Sequence, residues 1–347
     1  MKHRYASWAS TAVAAAFIAM IGCDSTDESS GNNPLNGTAG VGGAGGIGGM
    51  MAPAGTGGMT GGAAGTIAPG GAGGTGGVAG TVSPGGAGGA GGDPMGGTGG
   101  TMVSGSCEPA TSVDEDGPFT PTHIENGGES GSSWVYYPED LGRNGMLHPI
   151  FNWGPGAGTG PSNYLDHLNR LASHGFVVIS QPSSGSGTTE KASLDWLIAE
   201  NDRADSVFYQ KLDTTKVGAG GHSLGALTTM AMAGDPRLSM YVLVCGGCMT
   251  GNGGCGAADI HGPTVILGGD TDTGTPNFEG DYDEITSPVV FVTKTGTGHV
   301  PCARNNLAPW VAFMRWQFCG EEEWKSKFFD GGEYCSSPWE ACKSKGF

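Results

Sequence analysis

The segment VGAGGHSLGAL, residues 217–227, places a serine between an apolar, glycine-rich run and the start of a helical pattern. Ser223 is the centre of a Gly-x-Ser-x-Gly motif that it forms with Gly221 and Gly225. Because the chain holds 69 glycines among 347 residues, the motif carries little weight by itself. It gains weight from its context, since a strand, a sharp turn and a helix are all predicted around it, as a nucleophile elbow requires. Ser223 is therefore a candidate nucleophile.

The two motif glycines have a steric explanation. In an elbow the chain turns so tightly that the backbone at Gly221 and Gly225 has no room for a side chain. The helix that begins after the serine directs free backbone N–H groups toward the place where negative charge would develop. The motif thus predicts a serine placed to attack an electrophilic carbon.

Short apolar runs alternate with helical patterns through the second half of the chain. Seven runs are predicted strands: 133–138, 148–154, 175–180, 216–221, 240–246, 264–269 and 288–295. Four stretches are predicted to contain helices: 162–174, 191–212, 223–234 and 308–319. Most of the strand runs are apolar throughout, as expected of parallel strands covered on both faces. The pattern predicts an α/β fold with a doubly wound, mostly parallel sheet flanked by helices, and a ligand site at the carboxyl ends of the strands.

A serine hydroxyl needs a base to take its proton and an acid to orient that base. In a sheet of this kind they follow the serine in the order Asp, His, each on a loop after a later strand. Of the eight histidines, His299 in TKTGTGHVPCA (293–303) lies on a turn directly after the last predicted strand, and it is the candidate base. His222 adjoins the serine and is expected to point elsewhere, and His261 precedes a strand and so lies at its other end.

The acid is expected after the preceding strand, in GGDTDTGTPN (268–277). Asp270 and Asp272 both qualify by position. Asp270 is nearer the end of the strand, where its carboxylate would cap or close the turn. Asp272 is therefore the preferred acid, and Asp270 is the alternative.

Residues 1–22 are a predicted lipoprotein-type export signal. They have a basic start, and the apolar run at 11–21 is short for a membrane span, which needs ~20 apolar residues. The run ends in MIGC (20–23), which resembles the lipobox of bacterial lipoproteins, with Cys23 as the lipidated residue. Ordinary secretory cleavage is the alternative. We expect an exported protein that is lipid-anchored to the bacterial cell envelope, periplasmic or at the cell surface, or secreted.

The remainder of the chain divides by composition into two parts. Residues 23–105 are rich in glycine and almost free of charged and aromatic residues. Such a segment cannot bury enough apolar surface to offset its ordering entropy, which predicts a disordered tether. Residues 106–347 have a globular composition and a length that suits one catalytic α/β domain with a cysteine-rich C-terminal tail.

Charge and ligand patterns restrict the partners. The formal net charge of −17 argues against nucleic acid, whose phosphates need a basic surface, and against a polybasic membrane face. Cys245, Cys248 and Cys255 lack the second pair and the nearby histidine that a zinc site of this spacing needs. We expect a monomer that uses neither a cofactor nor a metal.

Eight cysteines follow Cys23, an even number in an exported chain, and disulfide bonds are the expected state. We expect at least three of them. Spacing does not establish the connectivity, and the local pairs Cys248–Cys255 and Cys335–Cys342 are the simplest candidates.

The chain resembles the bacterial cutinase-like polyester hydrolases, which include poly(ethylene terephthalate) hydrolases and have the α/β-hydrolase fold. The motifs that carry this resemblance are RLASHGFVVIS (170–180), GHSLG (221–225) and GTGHVPCA (296–303). The similarity runs from about residue 134 to about residue 316. It implies that Ser223, Asp272 and His299 form a catalytic triad. It also implies that the backbone N–H groups of Ala157 and Leu224 form the oxyanion hole.

Two departures from the family pattern concern the substrate groove. In GPGAGTG (154–160), Ala157 stands where the family usually has an aromatic residue. The segment CGGCMTGNGGCGAAD (245–259) contains no aromatic residue, whereas the family usually supplies a tryptophan there. Each lost contact would be worth ~0.5–1.5 kcal/mol. Trp153 and Phe278 are candidates to replace them.

The leading hypothesis is a serine carboxylic ester hydrolase that acts through an acyl-enzyme, with short- to medium-chain esters as the expected substrates. A polyester depolymerase is the alternative with the same chemistry, so the expected partner is a small-molecule or polymeric ester. A non-catalytic surface lipoprotein with a hydrolase fold is the alternative of another class. Such a protein would normally have lost the serine, the histidine or an elbow glycine, and the chain retains all of them.

Overall fold

The structure is a computed structural model that describes residues 107–249 and 255–347. The predicted export signal, its Cys23 and the predicted tether lie outside the described residues. Within the described part, nine strands form one sheet. They are β1 (Pro121–Gly127), β2 (Ser133–Pro138), β3 (His148–Gly154), β4 (Val177–Ser180), β5 (Leu212–His222), β6 (Leu238–Val244), β7 (Thr264–Gly269), β8 (Val289–Lys294) and β9 (Trp339–Lys345).

The strand order is β1-β2-β4-β3-β5-β6-β7-β8-β9. The six strands from β3 to β8 pair in parallel, whereas β1, β2 and β9 join antiparallel. The doubly wound, mostly parallel sheet predicted from the sequence is confirmed, and each of the seven predicted strands overlaps one of β2 to β8. The central strands are apolar because helices cover both faces of the sheet.

The two outer strands were not predicted. β1, with the sequence PTHIENG, and β9, with the sequence WEACKSK, are largely polar and lack a continuous apolar run. Each lies at an edge and pairs with one neighbour, so burial on both faces does not select its residues. The expectation that 288–295 is the last strand is therefore wrong, because β9 follows it and pairs with β8 from Val289↔Lys345 to Lys294↔Trp339.

In residues 107–249 and 255–347, six α-helices connect and cover these strands. They are α1 (Leu165–Ser173), α2 (Thr188–Glu200), α3 (Leu224–Ala231), α4 (Phe278–Glu284), α5 (Cys302–Asn305) and α6 (Leu307–Met314). The predicted helix at 191–212 is shorter than expected, because the chain turns at Asn201, whose side-chain oxygen accepts the N–H groups of Lys211 and Leu212 at 3.0 and 2.9 Å. No helix in the described part of the chain is long and apolar enough to cross a bilayer.

The described residues contain four disulfides, which confirms the expectation of at least three. The two local pairs, Cys248–Cys255 and Cys335–Cys342, are among them. The other two span long stretches of sequence: Cys107–Cys319 joins residues 212 positions apart, and Cys245–Cys302 joins the end of β6 to α5. Because Cys248 is bonded to Cys255, this cluster is not a zinc site in the structure.

Asp281 on α4 is a buried carboxyl that should make stability depend on pH. Its Oδ2 accepts the Cys248 N–H at 2.9 Å. Burial raises the pKa of Asp281 to about 6, since desolvation of the charged form outweighs that hydrogen bond, and the charge of Glu284 adds to the increase. A carboxyl whose pKa is higher in the folded chain stabilises the fold fully below its unfolded pKa of ~3.9, and this contribution is lost as the pH rises through the folded value.

We expect Asp281→Asn to remove this pH dependence. Between about pH 4 and pH 7 the wild-type free energy of unfolding should fall by on the order of 1–3 kcal/mol relative to the variant. Urea unfolding at a series of pH values measures the difference. Asp283→Asn, an exposed carboxyl on the same helix, is the matched control. Parallel curves for wild type and Asp281→Asn would contradict the assignment.

Candidate active site

The chain passes from β5 to α3 through a strained turn at Ser223. This serine has φ 57° and ψ −118°, a combination that L-residues rarely adopt. Strain of this kind costs ~1–3 kcal/mol and persists only where the surroundings hold it. Here the Ser223 N–H donates to the carbonyl of Val244 on the neighbouring strand at 2.9 Å.

The motif glycines allow this turn because no side chain fits beside it. A Cβ on Gly221 would lie 2.2 Å from the carbonyl carbon of Gly225. A Cβ on Gly225 would lie 1.9 Å from the carbonyl oxygen of Gly154. Both distances are far below van der Waals contact, so the Gly-x-Ser-x-Gly pattern reflects direct contact between backbones of β3, β5 and α3.

Three side chains from separate loops meet at the carboxyl edge of the sheet. Oγ of Ser223 donates to Nε2 of His299 at 2.8 Å. Nδ1 of His299 donates to Oδ1 of Asp272 at 2.6 Å. Asp272 follows β7 and His299 follows β8, so the structure brings together the three residues that the sequence analysis singled out.

The Asp272 carboxylate is held by more than the histidine. Its side chain is fully buried, Oδ1 also accepts the Gly274 N–H at 3.1 Å, and Oδ2 accepts the Thr275 hydroxyl at 2.7 Å. Burial by itself would raise the pKa of Asp272, but the hydrogen bonds from His299, Thr275 and Gly274 outweigh it and lower the pKa below its ordinary value. The carboxylate is therefore charged at neutral pH beside the imidazole.

Asp270, the alternative acid, occupies a different position. It is exposed, and its Oδ1 accepts the backbone N–H of Thr297 at 3.2 Å. Its contact thus closes the turn between the loops after β7 and β8, which is the capping role that its place at the strand end suggested.

Thr275 contacts the Asp272 carboxylate but was not singled out from the sequence. Its hydroxyl donates to Asp272 and accepts the Gly269 N–H at 2.9 Å. A threonine three residues after a candidate acid is a weak signal, because the pattern Asp-x-x-Thr is common in turns. The structure gives it a role, since it holds the free carboxylate oxygen of Asp272.

We expect Thr275→Val to weaken both stability and turnover. The substitution preserves shape but leaves the Gly269 N–H and one oxygen of Asp272 without a partner, which should cost ~1–3 kcal/mol in the free energy of unfolding. Ester turnover should fall roughly tenfold, because the acid is less firmly placed. Chemical denaturation and steady-state kinetics measure the two effects. Thr273→Val, at an exposed position, is the control, and equal behaviour of the two variants would rule out this role.

The turn predicted to supply one oxyanion donor lies beside the serine. A Cβ on Gly156 would be 3.6 Å from the Cβ of Ser223. The next residue, Ala157, is half-buried, as is Leu224 at the start of α3. Among the backbone hydrogen bonds of the described residues, none uses the N–H of Ala157 or of Leu224 as a donor outside regular helices and strands.

The expected replacements for the missing aromatic walls are not in the groove. Trp153 and Phe278 are both fully buried, and Trp153 stacks on Trp310 in the core with ring centroids 4.4 Å apart. The suggestion that they take the place of the family's aromatic residues is therefore wrong. Val300, directly after His299 in the chain, is 88% exposed.

A serine on a strand-to-helix elbow, linked through histidine to a carboxylate at the carboxyl edge of a parallel sheet, defines the class of α/β-hydrolases. The chain belongs to the PET hydrolase-like family, because the model of that family matches residues 92–312, well over half of the sequence.

Curated relatives agree with this placement. Cutinase 2 of Thermobifida cellulosilytica is 31% identical over 156 residues, which cover 42% of this chain and 55% of the relative. Cutinase est1 of Thermobifida alba is 30% identical over 170 residues, covering 45% and 53%. Cutinase cut1 of Thermobifida fusca is 31% identical over 156 residues, covering 42% and 45%. The chain thus spans about half the length of the curated relatives it matches.

Proposed function

We propose that this chain is an exported serine ester hydrolase of the cutinase type, with polyesters among its substrates. The observation that carries the proposal is the hydrogen-bonded series Ser223–His299–Asp272 on a strained elbow. Membership of the PET hydrolase-like family supports a polyester as the substrate class.

In the proposed reaction His299 takes the proton of Ser223 through Nε2 while Oγ attacks the ester carbonyl carbon. Asp272 keeps the imidazole in the tautomer with a free Nε2 and stabilises its positive charge. The tetrahedral intermediate then expels the alcohol, which leaves with the proton from His299, and an acyl-serine remains. Water, deprotonated by His299, attacks the acyl group, and Ser223 regains its proton as the acid departs.

The charge that develops on the carbonyl oxygen needs preorganised donors. We assign this role to the backbone N–H groups of Ala157 and Leu224. Support comes from the closeness of this turn to the serine, since a Cβ placed on Gly156 would lie 3.6 Å from the Cβ of Ser223, and from the position of Leu224 at the start of α3. One donor of this kind is worth ~10²–10³ in rate.

The comparisons favour a polyester over a small soluble ester as the natural substrate, which reverses the order expected from the sequence. Short- to medium-chain esters remain a second candidate, because one specific observation supports them. The segment 245–259 contains no aromatic residue, and Ala157 offers only a methyl group, so neither position supplies a ring that would stack on an aromatic diacid. An aliphatic polyester satisfies both observations.

Export and anchoring belong to the same proposal. The signal at 1–22 and its Cys23 support a lipid-anchored envelope protein, and the glycine-rich segment 23–105 would separate the catalytic domain 106–347 from the anchor. Four disulfides accord with an oxidising compartment. We propose a monomer that contacts the membrane only through its lipid.

Hydrolysis of p-nitrophenyl esters from acetate to decanoate by the full-length protein tests the chemistry. Release of soluble acid from films of an aliphatic and an aromatic polyester tests the substrate class. We expect activity on the shorter esters and on the aliphatic film, with less on the aromatic film. A protein that cleaves no ester would overturn the enzymatic proposal in favour of a non-catalytic lipoprotein.

A further inference from the structure

His222, next to the candidate nucleophile, is a buried histidine that the reaction outlined above does not use. From its place beside Ser223, this histidine is expected only to point elsewhere. The centroid of its ring lies 5.0 Å from the centroid of the His299 ring. Its two nitrogens contact two different loops of the site, through Tyr164 on one side and the backbone of His299 on the other.

On the first side the contact runs to the turn that follows β3. The hydroxyl of Tyr164 is 2.8 Å from Nδ1 of His222 and 2.9 Å from the N–H of Gly156, which donates to it. The nearby Thr159 hydroxyl donates to the Gly156 carbonyl at 2.7 Å. Tyr164 therefore holds the backbone immediately before Ala157, the proposed oxyanion donor.

On the second side the contact runs to the turn that follows β8. Nε2 of His222 is 2.9 Å from the backbone carbonyl oxygen of His299. A carbonyl only accepts, so Nε2 must carry the proton. Nδ1 of the neutral ring is then an acceptor, and it receives the hydroxyl proton of Tyr164. The three hydrogen bonds have one consistent direction, Gly156 to Tyr164 to His222 to His299.

We propose that Tyr164 and His222 are positioning residues that hold the turn at Gly156 and Ala157 and the backbone of His299 in fixed relation across Ser223. This inference rests on the proposed function. We call the series of hydrogen bonds from Gly156 through Tyr164 and His222 to His299 the relay. The two loops follow β3 and β8, which are not adjacent in the sheet, so the relay connects parts of the site that strand pairing does not hold directly. Misplacement of a catalytic group by ~1 Å can reduce the rate by ~10².

The surroundings of His222 keep it in the required neutral form. Burial, together with the nearby His299 and His167, lowers the pKa of His222 to about 4, while the His299 carbonyl and Asp272 act in the opposite direction. If the ring were protonated, both nitrogens would donate, and the hydroxyl proton of Tyr164 would lose its acceptor.

Tyr164→Phe is the first test, because it removes one oxygen and leaves the ring in contact with Trp153, whose centroid is 5.3 Å away. We expect kcat for p-nitrophenyl acetate to fall about tenfold and KM to change by less than about twofold. Inhibition by a small alkylboronic acid, which forms a tetrahedral adduct with the serine, should weaken by about the same factor as kcat falls. Tyr241→Phe is the matched control, since it removes a buried hydroxyl that donates to the Ala233 carbonyl.

His222→Gln is the second test, because glutamine retains an amide donor for the His299 carbonyl but has no acceptor at the Nδ1 position. The double variant Tyr164→Phe/His222→Gln should lose no more activity than the more impaired single variant, since both substitutions interrupt one series of bonds. Losses that multiply would show that the two residues act separately and would overturn the relay.

The proton arrangement is tested without turnover by nitrogen NMR of histidine-labelled full-length protein. At neutral pH we expect His222 to carry its proton on Nε2, and Tyr164→Phe to shift its Nδ1 signal. A proton on Nδ1 would overturn the relay even if no ester is cleaved. The other contradictory result requires an active wild type. If Tyr164→Phe then lowers the melting temperature as Tyr241→Phe does but leaves kcat and the affinity for the boronic acid unchanged, Tyr164 is a packing residue and the inference is wrong. A wild-type protein that cleaves no ester would instead remove the proposed function on which the inference rests.

Discussion

Ser223→Ala should reduce ester turnover by on the order of 10⁴-fold or more, because no neighbouring group can replace the hydroxyl as the attacking atom. The bond from Ser223 to Nε2 of His299 is 2.8 Å long, so the proton transfer that activates the serine needs little rearrangement. Alanine keeps the backbone at φ 57° under similar strain, and the melting temperature should therefore change little. Steady-state hydrolysis of p-nitrophenyl butyrate measures the loss.

A serine-directed fluorophosphonate separates loss of the nucleophile from general damage. The reagent should label wild type and fail to label Ser223→Ala. Ser186→Ala, at an exposed serine after β4, is the matched control and should keep both labelling and turnover. Residual turnover within about tenfold of wild type would mean that Ser223 is not the nucleophile.

Asp272→Asn should lower turnover by on the order of 10⁴-fold, whereas Asp270→Asn should leave it within about twofold. The amide that replaces Asp272 can present its NH₂ group to His299, which favours the tautomer with the proton on Nε2 and removes the acceptor for the serine proton. It also carries no charge to stabilise the imidazolium. Asp270→Asn affects only the contact with the Thr297 N–H, and the amide oxygen of asparagine can still accept that hydrogen bond.

This pair of variants tests the arrangement of the loops directly. Both aspartates lie on the same turn after β7, and both substitutions are nearly isosteric. Kinetics on one soluble ester, with far-ultraviolet circular dichroism to check the fold, are sufficient. Similar losses for the two variants, or a larger loss for Asp270→Asn, would contradict the assignment of Asp272 as the acid.

The inner strands of the sheet were predictable from the sequence, because the apolar pattern that marks each strand lies within a short stretch of the chain. Each of the strands β2 to β8 contains a short apolar run, and for the parallel strands β3 to β8 burial on both faces of the sheet produces that pattern. The outer strands β1 and β9 have one partner each, so their polar sequences carry no such signal. Helix α2 ends before the predicted position, because the turn at Asn201 depends on the backbone N–H groups of Lys211 and Leu212 ten and eleven residues later. The local helical pattern carries no signal for such a contact.

Residue types and order were enough to select Ser223 as the candidate nucleophile and His299 as the candidate base, and to restrict the acid to Asp270 or Asp272. A hydroxyl, a base and an acid on successive loops of a doubly wound sheet must converge at one edge, because the carboxyl ends of parallel strands lie together. The steric demand of the elbow is also local, and the close approach of Gly221 to Gly225 follows from the motif. Ser223 and His299 were therefore candidates from the chain alone, and the structure places them within hydrogen-bond distance of each other.

The choice between Asp270 and Asp272 needed the tertiary structure. The two residues are separated by one position, and only the placement of the β8 loop puts one carboxylate 2.6 Å from the imidazole and leaves the other in the solvent. The contact of Thr275 with the acid and the contact of Tyr164 with His222 depend in the same way on how distant segments meet.

The amino-acid sequence was sufficient for the fold class, the elbow and the chemical type of the site, because each rests on periodicity, steric limits or residue chemistry within a short stretch. Folding decided which carboxylate reaches the histidine, which hydroxyls support it, and that Trp153 and Phe278 are buried in the core instead of lining a groove. These outcomes depend on distances of a few ångströms between loops that lie far apart in the chain, and no local pattern encodes such distances.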